Sequence, residues 1–308
     1  MTSRKACHAG SWYSESPVEL SEHLAELFDR VDSNPSPLTK AIISPHAGYR
    51  FCGTTSAWAY KSIDVSRVSR VFILGPSHKT YIDGCSVPDV GVSQYETPFG
   101  NLDLDLEVLR ELKGCPDIAF RSLKLFDDEE EHSIEMQLPV LHYLVKNSEN
   151  PVKIVPIFVG SVVQNEERIF GRVLARYFDD PVSLFIISSD FCHWGHRFRF
   201  TPSEFPPLKT PSCFPQGSMN AAIEALDRQG MDLIARQDAE GFSKYLQSTG
   251  NTICGRYPIL ILMEILRNSR GKHSIEFVHY SQSTNLPRNP SREDSSVSYA
   301  AGVCSSII

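Results

Sequence analysis

Three short stretches of this chain are uniformly apolar and a fourth nearly so: Ala41-Ile42-Ile43, Val71-Phe72-Ile73-Leu74, Leu184-Phe185-Ile186-Ile187, and Val152 to Val159. A strand that reads as one continuous apolar run is buried on both faces, as in a parallel sheet covered by helices. Between these runs the apolar residues fall at helical spacing. Leu20, Leu24, Leu27 and Phe28 mark a helix from Ser16 to Val31, and further helices are read over 53–60, 102–112, 166–177, 219–237, 242–247 and 259–266. Two alternating segments, Ile275 to Tyr280 and Asp294 to Val303, close the chain as strands. Gly84 to Phe99 reads as turns, and the prolines of Thr201 to Pro215 exclude regular structure there. With no repeat, low-complexity tract or plain linker, the alternation predicts a single α/β domain over residues 1–308. Its core is a central, largely parallel or mixed sheet flanked by helices.

What ends the apolar runs carries the chemistry. The run at Leu184 turns abruptly polar through Ser188, Ser189, Asp190, Cys192 and His193, the run at Ala41 ends in Ser44-Pro45-His46, and the run at Val71 ends in Gly75-Pro76-Ser77-His78. Open α/β sheets bind ligands beyond the carboxyl ends of their strands. If these strands are parallel neighbours, His46, His78 and His193 emerge on one edge and share a site; the alternative is three independent structural histidines. Converging imidazoles suit Fe, Cu or Zn better than Mg or Ca, and Asp190 beside His193 suits acid/base work or metal binding.

Cys254 stands out among eight scattered cysteines. If Asn251 or Thr252 caps the following helix, its sulfur lies in the first turn, where the helix dipole and Arg256 favour thiolate. Taken alone, a buried apolar thiol is the commoner outcome. His132 and Glu135 share a helical face by their i, i+3 spacing, in a helix read as running on to Lys146. The five acids Asp127 to Glu131 before it read as a solvated face. The 201–215 loop follows His193 and His196 directly, and a cover over the site is its functional alternative to a plain connector.

A net charge of -7 gives no footprint for nucleic acid or an anionic membrane. The amino-terminal MTSRKACHAGSWY lacks the apolar core of a signal peptide, and Pro258 to Leu266, interrupted by Glu264, is too short to span a bilayer. A soluble protein with free thiols is expected, cytoplasmic, with the nucleus left open as a further compartment.

Seven segments, HAGSWY (8–13), SPHAGYRFCG (44–53), ILGPSH (73–78), EHSIEMQLP (131–139), SSDFCHWG (188–195), NTICGRYP (251–258) and DSSVSYAAG (294–302), resemble those of the Memo family, named for a mediator of ErbB2-driven cell motility. They stand in the family's order across nearly the whole chain. That family is similar in fold to the class III extradiol (LigB-like) non-haem iron dioxygenases. The resemblance implies His46, His78 and Cys254 as ligands of Fe(II) or Cu, with Zn as a further option, and His193 with Asp190 as the acid/base pair. Cys254 stands where the dioxygenases carry a carboxylate, which shifts preference towards softer ions and adds a ligand that oxygen can attack. His8, Trp12, His132, Glu135, Arg256 and Tyr299 become cleft-lining candidates.

Three functions follow from the resemblance: a metal protein in redox or cell-motility signalling, an active dioxygenase or oxidoreductase on an aromatic substrate, and a module that binds a phosphotyrosine peptide of a receptor. Arg50, Arg197, Arg199 and Arg256 are the cations near the site segments for the last, with surface solvation as their plainer role. A zinc hydrolase is a weaker fourth reading. Trp58, His23, His142, His273 and His279 read as structural or exposed, and neither the oligomeric state nor retained catalysis follows from the sequence.

Overall fold

The continuous apolar runs form the centre of the sheet. In a computed structural model that describes residues 2–148, 151–163, 165–207, 209 and 211–307, the strands Lys153–Val159, Arg70–Pro76, Ser183–Ser188 and Thr39–Ser44 lie side by side in that order. All three junctions between them are parallel. Val71 to Leu74 and Leu184 to Ile187 are no more than 1% exposed, and each such side chain contributes about 1.5–3 kcal/mol by leaving water. Because Ile186 pairs with both Ile42 and Ile73, the strands end almost level.

Among the described residues the sheet continues to twelve strands and becomes mixed at its flanks. Ser295–Ser306 runs antiparallel to Thr39–Ser44, with His273–Gln282 and the short His193–Gly195 strand on its other side. On the opposite flank come Gly100–Leu104, Val92–Thr97 and Thr2–Arg4, while Cys85–Pro88 and Phe120–Leu123 branch from Lys153–Val159. Helices flank this sheet. Pro17–Asp29, capped by the Ser16 hydroxyl, buries Leu20, Leu24, Leu27 and Phe28 and packs on Tyr49–Tyr60. Glu166–Phe178 packs on Arg256–Asn268 over the central strands. The architecture is a single α/β domain with a mixed, mostly parallel sheet. Among the described residues no helix is long and apolar enough to cross a membrane.

Three local expectations are corrected. Gly84 to Phe99 is not turns alone but holds the two strands Cys85–Pro88 and Val92–Thr97. The segment read as one helix from Leu102 begins as the strand Gly100–Leu104, since Leu102 and Leu104 alternate with exposed Asn101 and Asp103; Asp105 then caps a helix over Leu106–Lys113. The helix expected from His132 to Lys146 is two pieces, His132–Glu135 and Leu138–Val145, and Pro139 falls in the first turn of the second, where its missing N–H costs nothing.

Candidate metal centre

Level strand ends place three side chains together. His46, His78 and Asp190 each stand two residues beyond the last residue of Thr39–Ser44, Arg70–Pro76 and Ser183–Ser188. The fourth arrives from the loop before Arg256–Asn268. That loop presses so closely on the strand end that a Cβ on Gly255 would lie 2.3 Å from Ser189 Cβ and 2.6 Å from the Ser188 carbonyl, so only glycine fits. The approach carries Cys254 into the cluster. Its Sγ lies 3.2 Å from His46 Nε2 and accepts from the Asp190 N–H at 3.2 Å, while its own N–H donates to the Asp190 carbonyl at 3.3 Å. One ligand atom each from His46, His78 and Cys254 lie within 4.8 Å of one another. The helix cap differs from expectation. Gly255 occupies that position, because Asn251 is bonded to Asp227 and Tyr245 and Thr252 to His193, so the sulfur stands ahead of the first turn.

Hydrogen bonding fixes which ring nitrogen each histidine presents. The Ser188 hydroxyl donates to the Ser133 carbonyl at 2.7 Å, so it must accept from Gln137 Nε2 at 2.9 Å and from His46 Nδ1 at 2.7 Å. His46 therefore carries its proton on Nδ1 and turns a bare Nε2 towards the sulfur. Burial holds it neutral, its pKa pushed well below the usual value, with the neighbouring His78, His132 and His193 adding to the effect. His78 is gripped by Glu131, which accepts its backbone N–H at 2.5 Å and its Nδ1–H at 3.0 Å. Burial would lower the His78 pKa, but hydrogen bonds to Cys254 and Glu131 outweigh it and raise the value to about 10. Burial likewise opposes ionisation of Glu131, yet the His78 hydrogen bond and charge bring it down to about 2. Glu131 also lies with His78 and His132 in a second group of close ligand atoms, but its oxygens already serve His78 and the Ser133 N–H.

Above the cluster opens a cleft of about 500 Å³ whose lining includes Trp12, His46, His78, His132, Asp190, His193 and Tyr299. His193 Nδ1 lies 2.9 Å from the Phe191 carbonyl and 3.1 Å from the Thr252 carbonyl. Both can only accept, so Nδ1 is the protonated nitrogen and Nε2 is left as an acceptor. Asp190 accepts the His46 backbone N–H at 2.8 Å. Burial pushes its pKa up to about 7 against that bond, the His78 charge and the Ala47 N–H. Arg50 and Arg197 line the cleft, each over a phenyl ring, Phe51 and Phe198. Arg199 and Arg256 are not in the lining, and Arg256 Nε turns back to the Ile253 carbonyl at 3.0 Å. His8 and Glu135 sit behind the wall: Glu135 accepts from His8 N–H at 2.7 Å, Tyr13 hydroxyl at 2.7 Å and Arg4, and meets His8 Nδ1 at 2.8 Å. No described residue of 201–215 lines the cleft, and Leu208 and Thr210 of that loop lie outside the described residues.

Comparison with known proteins places this arrangement. A family model described as Memo-like protein matches residues 4–303. The chain belongs to the Memo-like protein family. Protein MEMO1 of Xenopus laevis is 42% identical over 302 residues, covering 97% of this chain and 96% of the relative. Protein MEMO1 of Homo sapiens is 41% identical over 303 residues with the same coverage of 97% and 96%. A crystal structure of an uncharacterized protein from Escherichia coli K12 aligns with 85% of this chain and 99% of its own at 15% identity, and its TM-score of 0.43 adds no argument.

In this Memo-like chain several residues that build the centre escape a reading of the sequence. The acidic run is not a solvated face throughout: Asp128 and Glu131 are each 1% exposed, Asp128 bonded to Arg4 and Tyr95 and Glu131 to His78. Glu131 stands beside His132 in a quoted segment, and its signal is a carboxylate immediately before a short helix. Arg4, Ser188 and Gln137 carry no distinguishing pattern. Thr252, which accepts the His193 N–H at 2.7 Å, lies within NTICGRYP.

Proposed function

We propose that this Memo-like protein holds one iron or copper ion between His46, His78 and Cys254 and serves redox chemistry or metal handling in cytoplasmic cell-motility signalling. The observation that carries the reading is the donor set: two imidazoles and a thiol within 4.8 Å, with both Nδ1 atoms already engaged by Ser188 and Glu131. Ligating histidines are typically oriented in this way through their other nitrogen. Two borderline nitrogens and one soft sulfur fit Cu(I), thiolate-ligated Fe(II) or Zn(II), and exclude a hard-ion cage. Iron or copper there would supply one-electron redox chemistry.

The chain's own residues do the rest. His78, with its pKa raised to about 10, holds its second proton at neutral pH when no metal is bound, so ligation of a metal by its imidazole would release that proton. Protein purified anaerobically under reducing conditions, without added metal, is expected to contain about one iron or copper per chain by elemental analysis, lost in Cys254→Ser and His46→Ala. Unchanged metal content and affinity in Cys254→Ser would refute the ligand set.

A second reading, oxidation of an aromatic substrate by O2, draws on His193, whose Nε2 is an acceptor in the cleft and whose neighbour Asp190 is poised near neutrality. Its test is oxygen uptake by Fe(II)-loaded protein with a panel of catechols; uptake no greater than in His193→Ala ends it. Arg50 and Arg197 on the cleft wall support a third, recognition of a phosphotyrosine peptide, which equal affinity for the unphosphorylated peptide would remove.

A further inference from the structure

Asp227 lies on the helix Met219–Ala235, contacts none of His46, His78 and Cys254 by hydrogen bond, and is 0% exposed. A carboxylate removed from water needs donors on its lone pairs. Asp227 has four, from Cys192, Asn251, Tyr280 and Ser298, each in a different element. Its Oδ1 accepts from the Cys192 backbone N–H at 3.2 Å and from Asn251 Nδ2 at 2.9 Å, and its Oδ2 accepts from the Tyr280 hydroxyl at 2.8 Å. Cys192 belongs to the turn between Asp190 and His193, and Asn251 opens the loop that ends at Cys254. One oxygen thus ties together the two segments that deliver Asp190, His193 and Cys254.

The two segments also meet directly. The Asp190 N–H donates to Cys254 Sγ and the Cys254 N–H to the Asp190 carbonyl, His193 is bonded to Thr252 through its N–H, Nδ1 and carbonyl, and the Gly255 N–H donates to the Ser189 hydroxyl. Asp227 grips that loop at Asn251 and the turn at Cys192, while Ser298 donates its N–H to the Cys192 carbonyl at 2.9 Å and holds the turn from the sheet. Tyr245 completes the grip, its hydroxyl accepting from Asn251 Nδ2 at 2.6 Å and donating to the Leu226 carbonyl at 2.8 Å, beside Asp227.

We propose that Asp227 is a positioning residue of the centre, a buried bridge that sets the Cys254 loop in register with the Asp190–His193 turn. Its metal arm rests on the metal reading above; its metal-free arm does not. In Asp227→Asn the amide keeps the shape without opening a cavity, and even with its oxygen on Cys192 and Asn251 and its N–H2 on the Tyr280 hydroxyl, the two bonds that grip the turn and the loop lose their charge assistance and weaken.

The experiment compares wild type, Asp227→Asn and Tyr280→Phe, the last removing one donor while leaving the carboxylate. In metal-free protein, alkylation of Cys254 by iodoacetamide is followed by peptide mass mapping, and the His193 tautomer by ¹⁵N chemical shifts. In the metal arm, Co(II) is the probe, read by its thiolate charge-transfer absorption. With the fold intact by circular dichroism, Asp227→Asn is expected to alkylate faster, to mix the two His193 tautomers, and to bind Co(II) about ten- to a hundredfold more weakly with a reduced thiolate band. Tyr280→Phe should move the same readouts less. Wild-type alkylation rate and tautomer in a folded Asp227→Asn would overturn the proposal, whatever cobalt does. If wild type itself bound no Co(II), the metal reading would fail while alkylation and tautomer still decided the role of Asp227. Should Asp227→Asn not fold, Tyr280→Phe decides alone, and unmoved readouts in it overturn the proposal.

Discussion

The two walls of the centre use the same side-chain type for the same task under opposite electrostatics. On the His78 wall, Glu131 grips a histidine that carries positive charge, and although burial opposes it, that charge brings its pKa down to about 2. On the Cys254 wall, Asp227 is served by a backbone N–H, an amide and the hydroxyls of Tyr280 and Ser298, none of them charged, and burial raises it to about 6 in spite of those bonds. Charged donors lower a buried carboxylate only where they outweigh desolvation, as His78 does for Glu131; Asp128, bonded to the Arg4 cation, is still raised to about 6 by burial. The His78 wall should behave as an ionic brace and the Cys254 wall as a neutral one.

The strongest way to break that contrast is to remove the outer cation of the ionic wall. Arg4, 1% exposed, donates to Asp128 and to Glu135, the acid that holds His8 and Tyr13 behind the site. Arg4→Met should cost about 3–5 kcal/mol, because it strands two buried carboxylates. Urea denaturation measures it, and a loss below about 1 kcal/mol would mean that this wall is not held by charge.

The second test uses pH, where the walls should respond with opposite sign. Asp227 moves from 3.8 unfolded to about 6 folded, so the native state binds its proton more readily. The stability this contributes is fully present below 3.8 and is lost as pH rises through about 6, an effect of at most about 3 kcal/mol. Glu131, lowered from 4.5 to about 2, contributes stability that is present above 4.5 and is lost as pH falls towards 2. Above the Glu131 window, Asp227→Asn should remove the Asp227 share of the wild-type decline in stability from pH 4.5 to about 6. Parallel profiles for the two proteins would put the Cys254 wall on the same footing as the other.

Part of this contrast was legible in the sequence. Strands buried on both faces must be written as continuous apolar runs, and their ends are where a parallel sheet binds ligands, so the sequence puts His46, His78 and His193 on one edge; the structure sets His46, His78 and Asp190 at the strand ends and His193 in the short strand that follows. The braces could not. Glu131 looks like its exposed neighbours in an acidic run, and nothing local marks Arg4 as buried; both are fixed by partners more than fifty residues away. Asp227 sits between Leu226 and Arg228, and only its place on a buried helix face distinguishes it from a surface acid. The strand Gly100–Leu104 shows only two apolar residues at a period of two, Leu102 and Leu104, before the helical spacing of Leu106–Lys113 takes over, so its signal merges with that of the helix.

The third test compares the clamps on the two histidines directly. Glu131→Gln retains an acceptor but loses the charge and turns an N–H2 towards a donor, either His78 or Ser133. Metal affinity should fall about ten- to a hundredfold by isothermal titration, since partners of ligating histidines carry effects of that size. Affinity should also fall less steeply with falling pH than in wild type, because the Glu131 charge that helps His78 hold a competing proton is gone.

Ser188→Ala is the matching change on the neutral side and should have the smallest effect. The hydroxyl orients His46 Nδ1 at 2.7 Å while taking a second bond from Gln137. Its loss leaves two buried donors and the Ser133 carbonyl short of a partner, which costs about 1–3 kcal/mol of stability. Burial still keeps the His46 imidazole neutral without help from a carboxylate, so a metal at Nε2 can select the Nδ1–H tautomer that Ser188 fixes in the wild type. Affinity should therefore fall less than about tenfold and keep the wild-type pH dependence, unlike Glu131→Gln. If Ser188→Ala instead weakened metal binding as much as Glu131→Gln, orientation rather than charge would be the shared currency of the two walls, and the distinction between ionic and neutral bracing would lose its chemical content.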